Sequence, residues 1–128
     1  MTKSTLLDKY PIYSLNVKKS ETKFTSVDEI INHFKTKIEQ DPNGSFINIF
    51  DHLAHTSALN GEIFEGLKAA KSIIYCFGIA IPNTKILAAR PRSIAVCELE
   101  DSFAIECMDA PREVMQSKIT SWIKSILN

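Results

Sequence analysis

The sequence has no excess of charge of either sign. Fifteen lysine and arginine residues balance fifteen aspartate and glutamate residues, which gives a formal net charge of zero. Proteins that hold a phosphodiester backbone normally carry a basic excess or a basic stripe, because binding releases counterions from the phosphates. The basic residues here are scattered among acidic ones. We therefore do not expect the protein to bind nucleic acid.

Long apolar runs are also missing. No run approaches the ~20 residues that a helix needs to cross a bilayer. Residues 1–10 carry Lys3, Asp8 and Lys9 around two leucines, which makes them too polar for the apolar region of a signal peptide. We expect residues 1–10 to form an N-terminal extension, and we expect no membrane partner and a cytoplasmic location.

Cysteines are few, and their spacing predicts no disulfide or zinc framework. Cys76, Cys97 and Cys107 lie in apolar stretches and form no Cys-x-x-Cys motif. Reduced, buried thiols in a cytosolic protein explain this pattern. A nucleophilic Cys76 stays open as an alternative, with His52 or His55 as its base if their strands adjoin.

The remaining composition is that of an ordinary globular domain. Hydrophobic residues make up 45% and charged residues 23% of the 128 positions, as in typical globular proteins. A chain of this length buries enough surface to fold without a metal or a disulfide. We predict one domain over residues 1–128.

Two segments have the spacing of amphipathic helices. Ser26 and Glu29 match a capping box, in which the serine hydroxyl accepts from the Glu29 amide and the Glu29 carboxylate accepts from the Ser26 amide. The apolar stripe that follows ends before Asp41-Pro42, because proline breaks the helical hydrogen-bond ladder. The second helix is predicted to open at Asp109-Ala110-Pro111, with proline in its first turn.

The strand patterns lie between these helices. Residues 12–17 alternate between apolar and polar, which predicts a half-exposed strand. The apolar run 46–50 predicts a buried central strand, and residues 72–77 predict a second buried strand that ends at Gly78. Residues 93–99 and 103–108 predict a hairpin. Its core side would carry Ile94, Val96, Phe103, Ile105 and Cys107, and the small residues Ala95, Cys97 and Ala104 would form an opposite face that another subunit could cover.

Four short motifs resemble a known family. Phe50-Asp51-His52 is similar to an apolar-Asp-His motif at the end of that family's second strand, and residues 73–78 resemble its apolar strand closing in Phe-Gly. Residues 91–98 resemble its proline-led strand that ends in an acidic residue, and residues 109–111 stand where the family has Asp-Pro before its last helix. On these motifs the sequence resembles the bacterial and archaeal domain-of-unknown-function family 302.

The resemblance implies a fold but no chemistry. It implies an α+β domain of the TATA-binding-protein-like kind, with a single antiparallel sheet, two long helices packed on one face, and the order β-α-β4-α. It also implies a homodimer formed through the sheet or its edges, and it carries no assigned activity. Residues 79–82 depart from the family, which usually has Asn-Pro after the Phe-Gly.

Two polar clusters are candidate sites. Asp51, His52 and His55 form the densest one, which could bind a ligand, a metal or haem, or could act in catalysis. Alternatively, Asp51 caps a short helix and both imidazoles bond locally. Arg90 and Arg92 flank Pro91, and their guanidinium groups suit a carboxylate or a phosphate. Alternatively, they form ion pairs with acids such as Glu98 or Glu106.

The sequence thus favours a non-catalytic module over an enzyme. We predict a homodimeric domain that binds a small molecule or a protein, with a small ligand near Asp51, His52, His55, Arg90 and Arg92. No residue is assigned as catalytic or as a metal ligand, and no cofactor is identified. The alternative is a small enzyme, or a metal or haem protein, that uses Asp51, His52 and His55.

Overall fold

The computed structural model describes residues 1–128, whose six strands form one antiparallel sheet with three helices. The strands are β1 (Thr2–Leu6), β2 (Tyr10–Lys18), β3 (Gly44–Asp51), β4 (Ala69–Phe77), β5 (Arg92–Glu98) and β6 (Ser102–Met108). The helices are α1 (Val27–Gln40), α2 (His52–Ala58) and α3 (Glu113–Lys124). The strand order across the sheet is β1-β2-β6-β5-β4-β3. The predicted α+β class is confirmed, with β1 added to the expected elements.

Strand β1 comes from the residues predicted to form an N-terminal extension. It pairs antiparallel with β2 from Thr2 opposite Ser14 to Leu6 opposite Tyr10. Residues 7–9 connect the two strands, with positive φ angles of 53° at Leu7 and 57° at Asp8, and the Lys9 amide donates to the Leu6 carbonyl oxygen at 3.1 Å. The chain therefore begins as the edge strand of the sheet.

Helix α1 begins as its sequence predicts, with one difference. The Ser26 hydroxyl accepts a hydrogen bond from the Glu29 amide at 3.1 Å. The Glu29 carboxylate accepts from the Thr25 hydroxyl, so the return bond to the Ser26 amide is not made. The predicted capping box is thus half wrong, because a neighbouring hydroxyl competes for the same carboxylate.

Helices α1 and α3 pack on one face of the sheet, which we call the inner face, and meet its apolar side chains there. Phe34 of α1 and Trp122 of α3 are both buried in this core. The Trp122 ring lies 6.0 Å from the rings of Tyr75 and Phe77 on β4. The Tyr75 pair is edge-on and the Phe77 pair is tilted, and such aromatic pairs stabilise a core beyond their buried area. The prediction that both helices share one interior with the sheet is confirmed.

The β5–β6 hairpin has the predicted register and the predicted faces. Val96 lies opposite Ile105, and both are buried on the inner face. Alternation along a strand sends the intervening side chains to the other side of the sheet. This outer face carries small side chains and one acid: Ala95, Cys97, Ala104 and Glu106.

Two sequence predictions differ from the structure in position. Strand β3 is not central but lies at an edge of the sheet, with a bulge between Phe46 and Asn48 and with Ile49 and Phe50 exposed. An apolar run does not distinguish an edge from a centre, and β4 takes the internal place. Helix α3 begins two residues beyond Pro111. Residues 79–92, which had no clear pattern, contain a 3-10 turn at Lys85–Ala89.

None of the helices combines the length and the apolar character that spanning a membrane requires.

Candidate anion-binding site

The two predicted polar clusters lie at opposite ends of strand β4. Asp51 is opposite Lys71 near the start of β4, and Arg92 is opposite Tyr75 near its end. Four residues along a strand correspond to about 13 Å at ~3.3 Å per residue. The Asp-His cluster and the arginine pair therefore do not form one site.

At the first end, Asp51 and His52 form hydrogen bonds with neighbouring residues. The Asp51 carboxylate accepts from the Ala54 amide at 2.9 Å and so caps α2, as one sequence alternative predicts. The Nε2 atom of His52 lies 2.8 Å from the hydroxyl oxygen of Ser72. The Phe50 ring lies 4.7 Å from the His52 ring and 5.2 Å from the His55 ring.

This end has few of the features of a reactive centre. Ser72, which is the hydrogen-bond partner of His52, is only 6% exposed. Cys76 lies four residues further along β4 and bonds to neither histidine. No three potential metal ligands come together in the structure. The catalytic and metal-binding roles considered for Asp51, His52 and His55 stay predictions.

The second end of β4 contains a cavity of about 340 Å³, which we call the arginine cleft. The 3-10 turn forms one wall, the first half of α3 forms the other, and the end of β4 forms the floor. Its cationic lining residues are Arg90, Arg92, Arg112 and Lys118. Its apolar lining residues are Phe77, Ile86, Ala89, Val114 and Met115. No acidic residue lines the cleft.

Both predicted arginines bond only to backbone carbonyl groups. Arg90 donates from Nη1 to the carbonyl oxygen of Ala80 at 2.6 Å. Arg92 donates from Nη2 to the carbonyl oxygens of Met108 and Asp109 at 2.8 and 3.0 Å. Neither guanidinium forms an ion pair with a carboxylate. Their positive charge is therefore held in place without being neutralised.

The alternative in which these arginines pair with Glu98 or Glu106 is wrong. Glu98 forms its ion pair with Lys19, at 2.7 Å. Glu106 accepts a hydrogen bond from the Ser14 hydroxyl on the outer face. Both acids therefore have nearer partners, and the two carboxylates lie on opposite faces of the hairpin, as the sequence predicts.

Gly78 makes room for the Arg90 side chain. It has a φ of +115°, and a Cβ atom built there would lie 2.5 Å from Nη2 of Arg90. Its amide also donates to the carbonyl oxygen of Asn43 at 2.7 Å, which ties the end of β4 to the turn before β3. Glycine is the residue that accepts both this φ and this close approach.

Lys118 is the cation of the cleft whose charge is compensated. Its Nζ atom lies 3.0 Å from a carboxylate oxygen of Asp41 and 5.2 Å from the centre of the Phe77 ring. Burial alone would raise the pKa of Asp41, but hydrogen bonds from the Asn43 amide and from Lys118 outweigh it and hold this pKa below its ordinary value. Asp41 therefore stays ionised and neutralises Lys118, and the net charge of the cleft comes from its arginines.

Tyr75 lies beneath the arginine cleft at the end of the core. Burial raises the pKa of its phenol well above the ordinary range, and the positive charge of Arg92 offsets part of that rise. The hydroxyl thus stays neutral at physiological pH and faces Arg92 as a polar neighbour without charge. Arg92 keeps its full positive charge for the cleft.

Sequence reasoning identified Arg90 and Arg92 but missed the residues that complete the cleft. Lys118 and Met115 come from α3 and Arg112 immediately precedes it, and nothing in their spacing indicates that this helix packs beside the 3-10 turn. The sequence indicates Gly78 only as the end of a strand, and not as the residue that makes room for Arg90. A positively charged hollow with apolar walls can bind a small anion through charge-assisted hydrogen bonds.

Comparisons with known proteins place the chain in a family. No curated protein and no solved structure matches it. A model described as "Family of unknown function (DUF6858)" matches residues 1–128. This is a different family from family 302, and membership of family 302 stays a prediction. Because the match covers the whole chain, the protein belongs to the family of unknown function DUF6858.

Proposed function

We propose that the protein is a non-catalytic module that binds a small anionic molecule in the arginine cleft. The observation that carries this proposal is the state of Arg90 and Arg92, which have no carboxylate partner and line a cavity without acidic residues. Charged groups this close to a core are normally paired. An anionic ligand would supply the missing partner.

The cleft also meets the general requirements for a small-molecule site. Its volume of about 340 Å³ lies at the lower end of the range of roughly 300–1,000 Å³ found for ligand pockets. Carbonyl groups of Ala80, Met108 and Asp109 already orient the two guanidinium groups. Binding therefore needs little ordering of long side chains, which otherwise weakens affinity.

The experiment is an NMR titration of the protein with inorganic phosphate and with benzoate. We expect saturable shifts confined to residues of the cleft for at least one of the two anions. Arg90→Gln combined with Arg92→Gln should weaken binding at least tenfold, because two charge-assisted contacts are lost. Lys9→Gln combined with Lys124→Gln, at exposed positions outside the cleft, removes the same two units of charge and should change the Kd less than twofold.

Two further variants test whether the geometry of the guanidinium groups matters apart from their charge. Arg90→Lys and Arg92→Lys preserve the charge but not the two-pronged geometry, and we expect an intermediate affinity from each. Shifts scattered over the surface, or equal affinity in the double variant, would show that the cleft is not an anion site.

We further propose that the protein is a homodimer whose subunits meet through the outer face. Ala95, Cys97 and Ala104 are small, half-buried residues in the middle of this face, and Met108 and Tyr10 on the same side have large exposed side chains. Small side chains allow a second layer to approach closely.

Sedimentation equilibrium tests the dimer. We expect a mass of two chains for the native protein and of one chain for Ala95→Arg, because a long charged side chain would separate the two faces. Thr36→Arg, on the exposed side of α1, is the control and should remain dimeric. A native protein that sediments as one chain at all concentrations would rule the proposal out.

A further inference from the structure

We infer that the ligand of the arginine cleft is an amphipathic monoanion, namely a carboxylate with an aliphatic tail of medium length. This inference rests on the function proposed above and adds the chemical class of the ligand. It follows from three properties of the cleft: the N–H groups left free on Arg90 and Arg92, the apolar side chains in the walls, and the volume.

The N–H groups left free on Arg90 and Arg92 suit one carboxylate. Lys118 is compensated by Asp41 at 3.0 Å. Arg90 and Arg92 each already donate some of their N–H groups to backbone carbonyl oxygens. A guanidinium group bonds a carboxylate through two parallel N–H groups, so the remaining donors match a single planar anion.

Both walls of the cleft contribute apolar side chains. Ile86 and Ala89 come from the 3-10 turn, and Val114 and Met115 come from α3. A hydrated ligand such as free phosphate or a sugar phosphate would leave these side chains against polar groups. An aliphatic tail would remove them from water, and methionine adapts well to such a chain because its side chain is unbranched and flexible.

An apolar loop continues this surface beyond the cleft. Ile79 is 87% exposed and Ile81 is 70% exposed. The loop lies beside the arginine pair because the Ala80 carbonyl accepts from Arg90. Exposed apolar side chains are common singly, but here two of them adjoin an apolar cavity. They can contact the end of a tail that protrudes from it.

The volume sets the length of the tail. At roughly 30 Å³ for each non-hydrogen atom with its hydrogens, which is the share of one water molecule in the liquid, a cavity of about 340 Å³ holds on the order of ten such atoms. A carboxylate uses three of them. The cleft therefore fits about eight carbons in total, with a longer tail reaching the loop at residues 79–82.

The test is a series of straight-chain carboxylates from acetate to dodecanoate, titrated below their micelle concentrations and followed by NMR and calorimetry. We expect affinity to rise by up to about fourfold for each added methylene, to level off near octanoate, and to rise little beyond it. 1-Octanol, which has the tail without the charge, should bind at least tenfold more weakly than octanoate.

Two variants separate the head from the tail. Met115→Gln keeps the length of the side chain but makes it polar, and we expect it to flatten the dependence on chain length while phosphate or acetate still shifts the same cleft residues. Arg90→Gln should lower the affinity for every carboxylate by a similar factor and leave the dependence on chain length unchanged.

The outcomes distinguish the inference from the proposed function. If acetate and octanoate bind equally and both depend on Arg90, the anion site stands and the amphipathic ligand is ruled out. If no anion of any length binds, the proposed function fails. If vesicles of phosphatidylglycerol bind but free octanoate does not, the cleft faces a lipid surface and the inference is overturned.

Discussion

The two ends of strand β4 carry similar numbers of polar residues but differ in how those residues are satisfied. At the first end, Asp51 caps α2 and His52 bonds Ser72, so each group has a neighbouring protein partner. At the second end, Arg90 and Arg92 bond only carbonyl oxygens and keep their net charge beside a cavity. Two clusters that look alike in the sequence thus differ in their hydrogen-bond and ion-pair partners in the fold. What matters is whether a charge lacks a counter-charge.

Gly78→Ala is expected to have the largest effect on stability and on anion affinity, and it tests the arginine end of β4. The new Cβ atom would collide with the Arg90 guanidinium, and the φ of +115° is unfavourable for alanine. We expect a loss of roughly 1–2 kcal/mol in the free energy of unfolding, measured with urea. We also expect about a tenfold loss of anion affinity, which corresponds to ~1.4 kcal/mol.

Gly66→Ala provides the matched control. Gly66 has a φ of +96°, and a Cβ atom there would meet nothing within 4 Å. The backbone cost should therefore be similar while anion binding is unchanged. Equal loss of binding in both variants would mean that Gly78 acts through general stability and not through Arg90.

A middle-sized effect is expected at the other end, for Asp51→Ala. The variant removes the cap of α2, and we expect the free energy of unfolding to fall by about 1 kcal/mol. Asp51→Asn should keep most of the stability, because asparagine caps nearly as well. Anion affinity should stay within twofold in both variants. If Asp51→Ala weakened anion binding as much as Arg90→Gln does, the two ends would act as one site.

The smallest effect concerns pH and Asp41. Its folded-state pKa is lowered, so its contribution to stability is present above the unfolded-state pKa of about 4 and is lost as pH falls through the lower folded-state value. We expect about 1 kcal/mol from the bonds to Asn43 and Lys118. Asp41→Asn should therefore flatten the decline in stability between pH 4 and 2, measured by urea unfolding.

Asp101→Asn is the control for that experiment. Asp101 is exposed in the turn between β5 and β6, and its carboxylate forms no ion pair. The decline in stability with falling pH should be the same as in the native protein. A decline that persists in Asp41→Asn would assign the acid sensitivity to other carboxylates.

Much of the fold could be predicted because its signals are local. Ser26 and the apolar stripe after it define α1, and the alternation around Val96 and Ile105 defines both faces of a hairpin. The place of β3 at an edge could not be predicted. Its apolar residues carry the same pattern in an edge strand as in a central one, and only pairing between distant segments decides which it is.

The site could be predicted only in part, for the same reason. Pro91 predicts an extended backbone at the preceding residue, Arg90. The φ of −124° and ψ of 146° at Arg90 confirm this. Glu98 instead pairs with Lys19, which lies in a 3-10 turn at Lys19–Glu21 after β2. This pairing depends on how distant segments meet in space, and no local sequence pattern predicts it. The cation Lys118 and the apolar Met115 join the cleft only because α3 lies beside the 3-10 turn.

The bulge between Phe46 and Asn48 has a consequence for how the protein behaves at high concentration. An open edge with Ile47, Ile49 and Phe50 exposed could serve as a template for strands of other copies. The bulge interrupts the regular spacing of N–H and C=O groups along β3. A strand from another copy could form regular backbone hydrogen bonds with only a few residues on either side of the bulge. The bulge therefore hinders the growth of fibres from this edge.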